Sequence, residues 1–444
     1  MSADRTGAAR LPQSLPQRLL ARVARIEPGE GAAVAAAFLL FFFVLGSYFA
    51  VRPVRETVAT VLGTERVADL WAYTALFAIL AVPLYGWLVG KVRRSLLLPG
   101  IYGMVALTLA AIGAAFHADP DDLRVGMFFY VWISVLNLLL VSIFWSFLLE
   151  FFDGGQARRL FGVIAAGGTL GALVGPALAG LLVTRIGNAG VLYLGACGFL
   201  AAIVCQRVLV KLWYAKSAGA STSSSEDDVP RRNDEGLGGN PFAGIFIVLK
   251  SRYLLGIASF VVLLSLVNTV LYFEQLRIVS ETFVDREQRT QVFALLDVIV
   301  QSLTIFAQLF FTGRIATRLG VGALLTIVPA VLAVGFLMLL AFNVFGMIAV
   351  LLVMRRWGEY AFIRPGREML WSTLDTESKY KAKSFIDLPV YRAADYIGAQ
   401  AKTALEASGS SPASVALVGA GLAVLWVLNG AWLGRQYRRQ EPSS

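Results

Sequence analysis

A pentapeptide occurs twice in this chain, as Arg52-Pro53-Val54-Arg55-Glu56 and as Arg364-Pro365-Gly366-Arg367-Glu368. A guanidinium fork grips phosphate or carboxylate through two parallel hydrogen bonds, which lysine does not do. The first arginine and the glutamate of each copy are four residues apart, a spacing that pairs along a helix. The proline removes one helical hydrogen bond and frees a carbonyl. Arg52 with Glu56, and Arg364 with Glu368, therefore read as gating ion pairs. The arginine forks of both copies suit a phosphate or carboxylate anion.

Other polar residues fall at helical spacing inside apolar stretches. Asp297, Gln301, Thr304 and Gln308 fall within about 60° of one helix face. Ser384, Asp387, Tyr391 and Asp395 repeat the pattern, and Tyr130, Ser134 and Asn137 make a third stripe. A charge at mid-membrane costs roughly 2.5–3.5 kcal/mol, so each such residue should have a role. The stripes read as the lining of a hydrated cavity, with Asp297, Asp387 or Asp395 able to carry a proton. The plainer alternatives are interhelical hydrogen bonds and arginines that snorkel to the interface.

Much other chemistry is excluded. The single histidine, His117, lies in a polar connection, which argues against histidine metal sites and triads. Cys197 and Cys205 lie in one apolar block and mark no disulfide framework. No phosphate-binding GxxxxGK[ST] loop occurs, because Gly90-Lys91 lacks both the first glycine and the hydroxyl residue. An ATP-hydrolysing pump is thereby disfavoured, and no enzyme, metal or cofactor is expected.

The elements that must hold these residues are membrane helices. The chain has 444 residues, 57% apolar and only 15% charged, against roughly a quarter charged in soluble proteins. The apolar residues form blocks near 31–51, 70–90, 96–116, 125–149, 160–183 and 189–210. A second set lies near 254–273, 292–311, 321–342, 344–363, 385–401 and 413–433. About 20 apolar residues cross a bilayer as a helix, and the blocks lack the alternation of barrel strands. With the N-terminus in the cytoplasm, 26 of the 39 Lys+Arg fall in cytoplasmic segments, 9 outside and four within the apolar blocks. That is the positive-inside pattern. It accounts for the net charge of +10 through contact with anionic lipid and without nucleic acid.

The chain divides into two halves. Residues 1–30 form a cytoplasmic tail, 31–210 and 254–433 two six-helix bundles, and 434–444 a second tail. Between the bundles, 211–253 reads as a cytoplasmic linker. Its serine run Ser221–Ser225, acidic Glu226 to Asp228 and glycines Gly236 to Gly239 cannot bury enough apolar surface to fold. Residues 241–253 would lie on the membrane as a short amphipathic helix. Gly86-x-x-x-Gly90-Lys91-x-Arg93-Arg94 and Gly313-x-x-x-Thr317-Arg318-x-Gly320 partly resemble the loop motif of the major facilitator superfamily. Gly171-x-x-x-Gly175-Pro176-x-x-x-Gly180 resembles its antiporter motif, and its glycines read chiefly as a close-packing surface. The assigned topology puts the two pentapeptides at opposite faces, as inverted repeats would.

The chain resembles the ATP/ADP translocase-type nucleotide transporters of plastids and intracellular bacteria, which have the major facilitator fold. The resemblance rests on Tyr48 to Glu56, Phe144-Trp145-Ser146-Phe147, Arg364 to Leu370 and Lys379 to Asp387. It implies nucleotide exchange with charged residues in spans one, four, seven and ten. The basic residue of span one falls on Arg55, the glutamate of span seven on Glu274 and the lysine of span ten on Arg367. Ile133 or Ser134 stands where the family has its span-four glutamate, and arginine replaces both lysines.

The expectation is an all-α membrane protein of twelve helices in the inner membrane, with both termini cytoplasmic. It would exchange small anionic metabolites, nucleotides first, by alternating access. Substrate would meet Arg55, Glu274 and Arg367; Asp297, Gln301, Asp387 and Asp395 would line the cavity or couple a proton. A proton-coupled carrier of another organic anion, and a membrane scaffold without transport, are the alternatives. The expected partners are the solute and the bilayer, with the protein a monomer.

Overall fold

The computed structural model describes residues 27, 30–91, 94–152, 154–220, 243–342, 344–374, 382, 383, 385–409 and 411–440. The linker residues 221–242, Ser384, nearly all of the N-terminal tail and residues 441–444 lie outside these. The first half contains α1 (Gly31–Leu62), α2 (Thr64–Lys91), α3 (Arg94–Ala118), α4 (Leu123–Phe151) and α5 (Gly154–Ala220). A short α6 (Ala243–Lys250) leads into α7 (Arg252–Thr282), α8 (Arg286–Phe310), α9 (Thr312–Ala341) and α10 (Phe345–Gly358). A π-helical turn (Glu359–Ile363) joins α10 to α11 (Arg364–Leu370). A second such turn (Ile386–Val390) precedes α12 (Tyr391–Ala407), and α13 (Pro412–Gln440) follows.

Local chemistry sets several of these boundaries. Asp122 caps α4, its carboxylate accepting from the N–H groups of Arg124 at 2.8 Å and Val125 at 3.4 Å. Ser251 caps α7 by accepting from Leu254 N at 3.3 Å. The fifth and sixth expected spans are both contained in α5, which has no loop between them. The chain reverses at Gly187 alone, whose φ of 67° suits a residue without Cβ.

With α5 counted as two spans and α10–α11 as one, the described residues form twelve membrane-crossing segments. Eight helical stretches are long and apolar enough to cross on composition alone, and Arg159–Trp213 is one of them. The segments α10 and α12 fall short at 14 and 17 residues. Both carry charge into the interior, Arg355 and Arg356 on α10 and Arg392 and Asp395 on α12.

The first pentapeptide does not end its span. Pro53 lies inside α1, which continues to Leu62. The second copy does start an element, with Pro365 in the first turn of α11, where a missing N–H costs little.

Each half has its own apolar core. One is built on Val44, Leu109, Phe144 and Leu192, the other on Phe260, Leu324, Leu352 and Trp426. Within the first half, α1 and α5 approach backbone to backbone through glycines. A Cβ at Gly175 would strike the Gly46 carbonyl, and one at Gly171 the Phe42 carbonyl. The antiporter-like glycines are thus a contact surface between helices.

A third apolar cluster takes residues from both halves, among them Leu62, Leu70, Tyr130, Phe273, Phe293 and Ala399. Polar bonds surround it. Thr57 and Thr290 hydroxyls lie 2.6 Å apart, Arg289 Nη1 donates to Thr60 at 2.9 Å, and Arg286 Nη1 donates to the Pro120 carbonyl at 2.6 Å. Arg286 also pairs with Asp121. These residues sit at the ends of α1 and α7, in the α3–α4 turn, at the starts of α2, α4 and α8, and on α12. The two bundles are therefore sealed together at that end.

Candidate functional site

Beneath the sealed end lies a cavity of about 240 Å³ between the halves. It is walled by α1, α2 and α4 from one half and by α7, α8, α10, α11 and α12 from the other. Among the described residues, six arginines line it: Arg52, Arg55, Arg355, Arg356, Arg364 and Arg392. Four carboxylates face them: Glu56, Asp297, Glu359 and Asp395. Trp71, Tyr130, Tyr272, Tyr360 and Tyr391 supply aromatic wall.

The helix registers place these groups. Arg52, Arg55 and Glu56 share one inward face of α1 because they fall at one, four and five in the same turn and a half. Glu56 is the hub. It takes Arg55 in a close pair and Arg52 at 3.9 Å, and Tyr272 of the other half donates to it at 3.0 Å. The Tyr272 hydroxyl is 3.0 Å from that of Tyr130, to which Trp71 Nε1 donates at 2.8 Å. Arg55 also donates to Ser134 at 3.2 Å and lies over the Tyr130 ring at 5.4 Å.

Asp297 binds two arginines from opposite halves, Arg52 at 3.5 Å and Arg356 at 2.5 Å. Glu359 sits in the π-turn and takes Arg355 at 3.7 Å and Arg364 at 3.3 Å. The extra residue of such a turn widens the helix locally, a feature common at functional sites. Asp395 receives a 2.5 Å bond from Ser265 and pairs with Arg392 at 3.4 Å. Arg355 is the least engaged guanidinium, with one ion pair and no hydrogen-bond partner at Nε.

Of the residues singled out by spacing, Arg52, Arg55, Glu56, Arg364, Asp297 and Asp395 come together in this cavity. Others go elsewhere. Arg367 pairs with Asp387 at 3.4 Å, and Glu368 with Lys383 at 2.5 Å, away from the lining. Arg364 is thus partnered by Glu359 and not by Glu368, because the π-turn rotates Glu359 towards it. Glu274 is held by Arg277 at 2.7 Å and the buried Lys402 at 3.7 Å, behind the wall. Gln301 is not among the lining residues. Along the same stripe Gln308 donates to the Tyr360 carbonyl at 3.3 Å and Thr304 to its own helix at 2.7 Å. Below Asp297 the α8 stripe thus contributes one bond to a neighbouring element, through Gln308.

Arg355, Arg356, Glu359 and Arg392 were missed as site residues. Their signal was present: a double arginine and a glutamate inside one apolar block, and an arginine inside another. They lack the repeat that drew attention to the pentapeptides. Ser134, and not the buried Ile133, is the residue beside Arg55.

The sequence profile of the Major Facilitator Superfamily matches residues 36–363. The chain belongs to that superfamily and is a multi-pass membrane protein. No curated protein sequence matches it. Among solved structures, it is similar to a bacterial homologue of the iron transporter ferroportin in an inward-facing state. The TM-score is 0.62 at 13% identity, over 90% of this chain and 98% of that one. It is similar to the nucleoside transporter NupG at TM-score 0.61 and 12% identity, over 94% and 100%. A bacterial homologue of the lysosomal transporter Spinster, inward-facing and unoccupied, matches at TM-score 0.57 and 14% identity, over 94% and 100%. At these identities the likeness is one of fold.

Proposed function

We propose that this superfamily member is a secondary transporter that exchanges anionic metabolites across the inner membrane by alternating access, with nucleotides as the leading class. One observation carries the reading: a cavity between two bundles, sealed at one end, in which six arginines outnumber four carboxylates. Fixed positive charge in a low-dielectric site attracts an anion, and guanidinium forks give it directional bonds. The aromatic wall of Trp71, Tyr130 and Tyr272 suits a base, and the resemblance to nucleotide exchangers agrees. With the N-terminus cytoplasmic, the sealed end is the outer one and the carrier faces inward.

The test is counterflow. Purified protein in liposomes preloaded with unlabelled nucleotide should take up labelled nucleotide, and empty liposomes should not. Arg55→Gln and Arg355→Gln should lower the rate. Absence of any anion flux, with both variants silent in cells, would leave a membrane scaffold.

A second reading, proton-coupled uptake of an organic anion, has Asp395 in its favour. Among the cavity carboxylates it alone has a single arginine partner, and Ser265 holds it from α7 at 2.5 Å. Uptake driven by a pH gradient without internal anion would establish that mode.

A further inference from the structure

The lining charges divide unequally. Glu56 and Asp297 lie among three arginines, Arg52, Arg55 and Arg356. Glu359 lies between two, Arg355 and Arg364. Asp395 and Arg392 balance each other. Among the described lining residues, six arginines against four carboxylates leave two positive charges, one in the cluster on α1 and one in the cluster on the π-turn and its flanks. Arg55 could have had a carboxylate beside Nη1, but the neutral hydroxyl of Ser134 stands there at 3.2 Å.

Alternating access requires the loaded site to close and shed water. Uncompensated charge is expensive in that state, so the loaded cavity closes most readily at net zero. We propose that the carrier selects dianions, and specifically phosphate monoesters such as nucleoside monophosphates, over nucleoside di- and triphosphates. A phosphate monoester carries about −1.5 to −2 near neutral pH. Its charge matches the surplus that Arg55 of one half and Arg355 and Arg364 of the other help to supply around one cavity. Each further phosphate adds charge that the lining does not match. The inference rests on the anion-carrier reading and narrows its substrate.

The experiment is counterflow into liposomes with labelled AMP, ADP and ATP, each against its own unlabelled form, at one pH near neutral. The wild-type protein should take up AMP at a kcat/KM about tenfold or more above ADP and ATP, the factor expected for one unmatched charge-assisted contact. Asp395→Asn keeps the Ser265 bond and adds one surplus positive charge; it should move preference towards ADP. Ser134→Asp removes one and should weaken AMP relative to a monoanionic methyl ester of AMP. Ser134→Ala, which changes no charge, should keep the wild-type order and controls for damage at this position. Equal or better exchange of ADP or ATP by the wild-type protein would overturn the proposal, as would shifts of the same sign in the two charge variants. Exchange of a non-phosphate anion only would overturn it while leaving the anion-carrier reading in place. Loss of all anion exchange would take both.

Discussion

Arg52 on α1 reaches Asp297 on α8 at 3.5 Å, from one bundle to the other, while Arg356 holds the same carboxylate oxygen at 2.5 Å. Asp297 is 3% exposed, so the pair is buried beneath the sealed end. Tyr272–Glu56 and Tyr130–Tyr272 are the neighbouring links across the halves. The same residues therefore line the cavity and link the two bundles.

Glu56→Gln should weaken that fastening, because it loses its charge towards Arg52 and Arg55 while Tyr272 keeps an acceptor. Thiol labelling of a cysteine at Thr290, buried in the seal, should accelerate in this variant. Glu368→Gln should leave it unchanged, since Glu368 is tied to Lys383 within one half. Equal acceleration in both would refute the assignment of the gate to Glu56.

Arg355→Gln should lower anion affinity about tenfold to a hundredfold, the loss of one charge-assisted bond. Arg367→Gln should act mainly on stability, through the freed Asp387. Binding isotherms and unfolding temperatures on the same two proteins separate the effects. A larger affinity loss from Arg367→Gln would return that residue to the binding site.

Glu30 precedes α1 and anchors it to α5. Gln156 donates to it at 2.8 Å, Arg159 at 3.1 and 3.2 Å, and it accepts from Glu27 N at 3.1 Å. Burial opposes its charge, yet these bonds and Arg159 hold its carboxyl below the ordinary value of 4.5. A depressed folded pKa means stability that is present above the unfolded pKa and lost as pH falls through the folded one. Glu30→Gln should therefore lower the unfolding temperature at neutral pH, by an amount corresponding to about 1–2 kcal/mol. The gap between variant and wild type should shrink below about pH 4. A gap that persists unchanged at acid pH would mean that packing, not charge, holds this joint.

Topology is checked on a chain freed of Cys197 and Cys205. A cysteine at Asp119, in the exposed turn between α3 and α4, should label with an impermeant thiol reagent in intact cells. One at Ser223 in the linker should be protected. The reverse pattern would invert the orientation and place the sealed end in the cytoplasm.

The helical membrane class, the six-plus-six division and half of the cavity charges were legible in the sequence. Apolar block length and charge bias are one-dimensional properties, and bilayer thickness converts them directly into spans. Arg52, Arg55 and Glu56 could be read as a unit because one helix turn joins them. The partners of those residues could not. Whether Arg364 meets Glu359 or Glu368 depends on one extra residue in a π-turn, which no periodicity announces. Arg52 reaches Asp297, and Tyr272 reaches Glu56, only because two bundles dock at one end. Arg367 and Glu274 fall outside the cavity lining because packing within the second bundle, of α11, α12 and α7, pairs them with Asp387 and Lys402. A charged residue in an apolar span announces that it needs a partner, but which partner, and on which side of a wall, is set by distances between helices far apart in the chain.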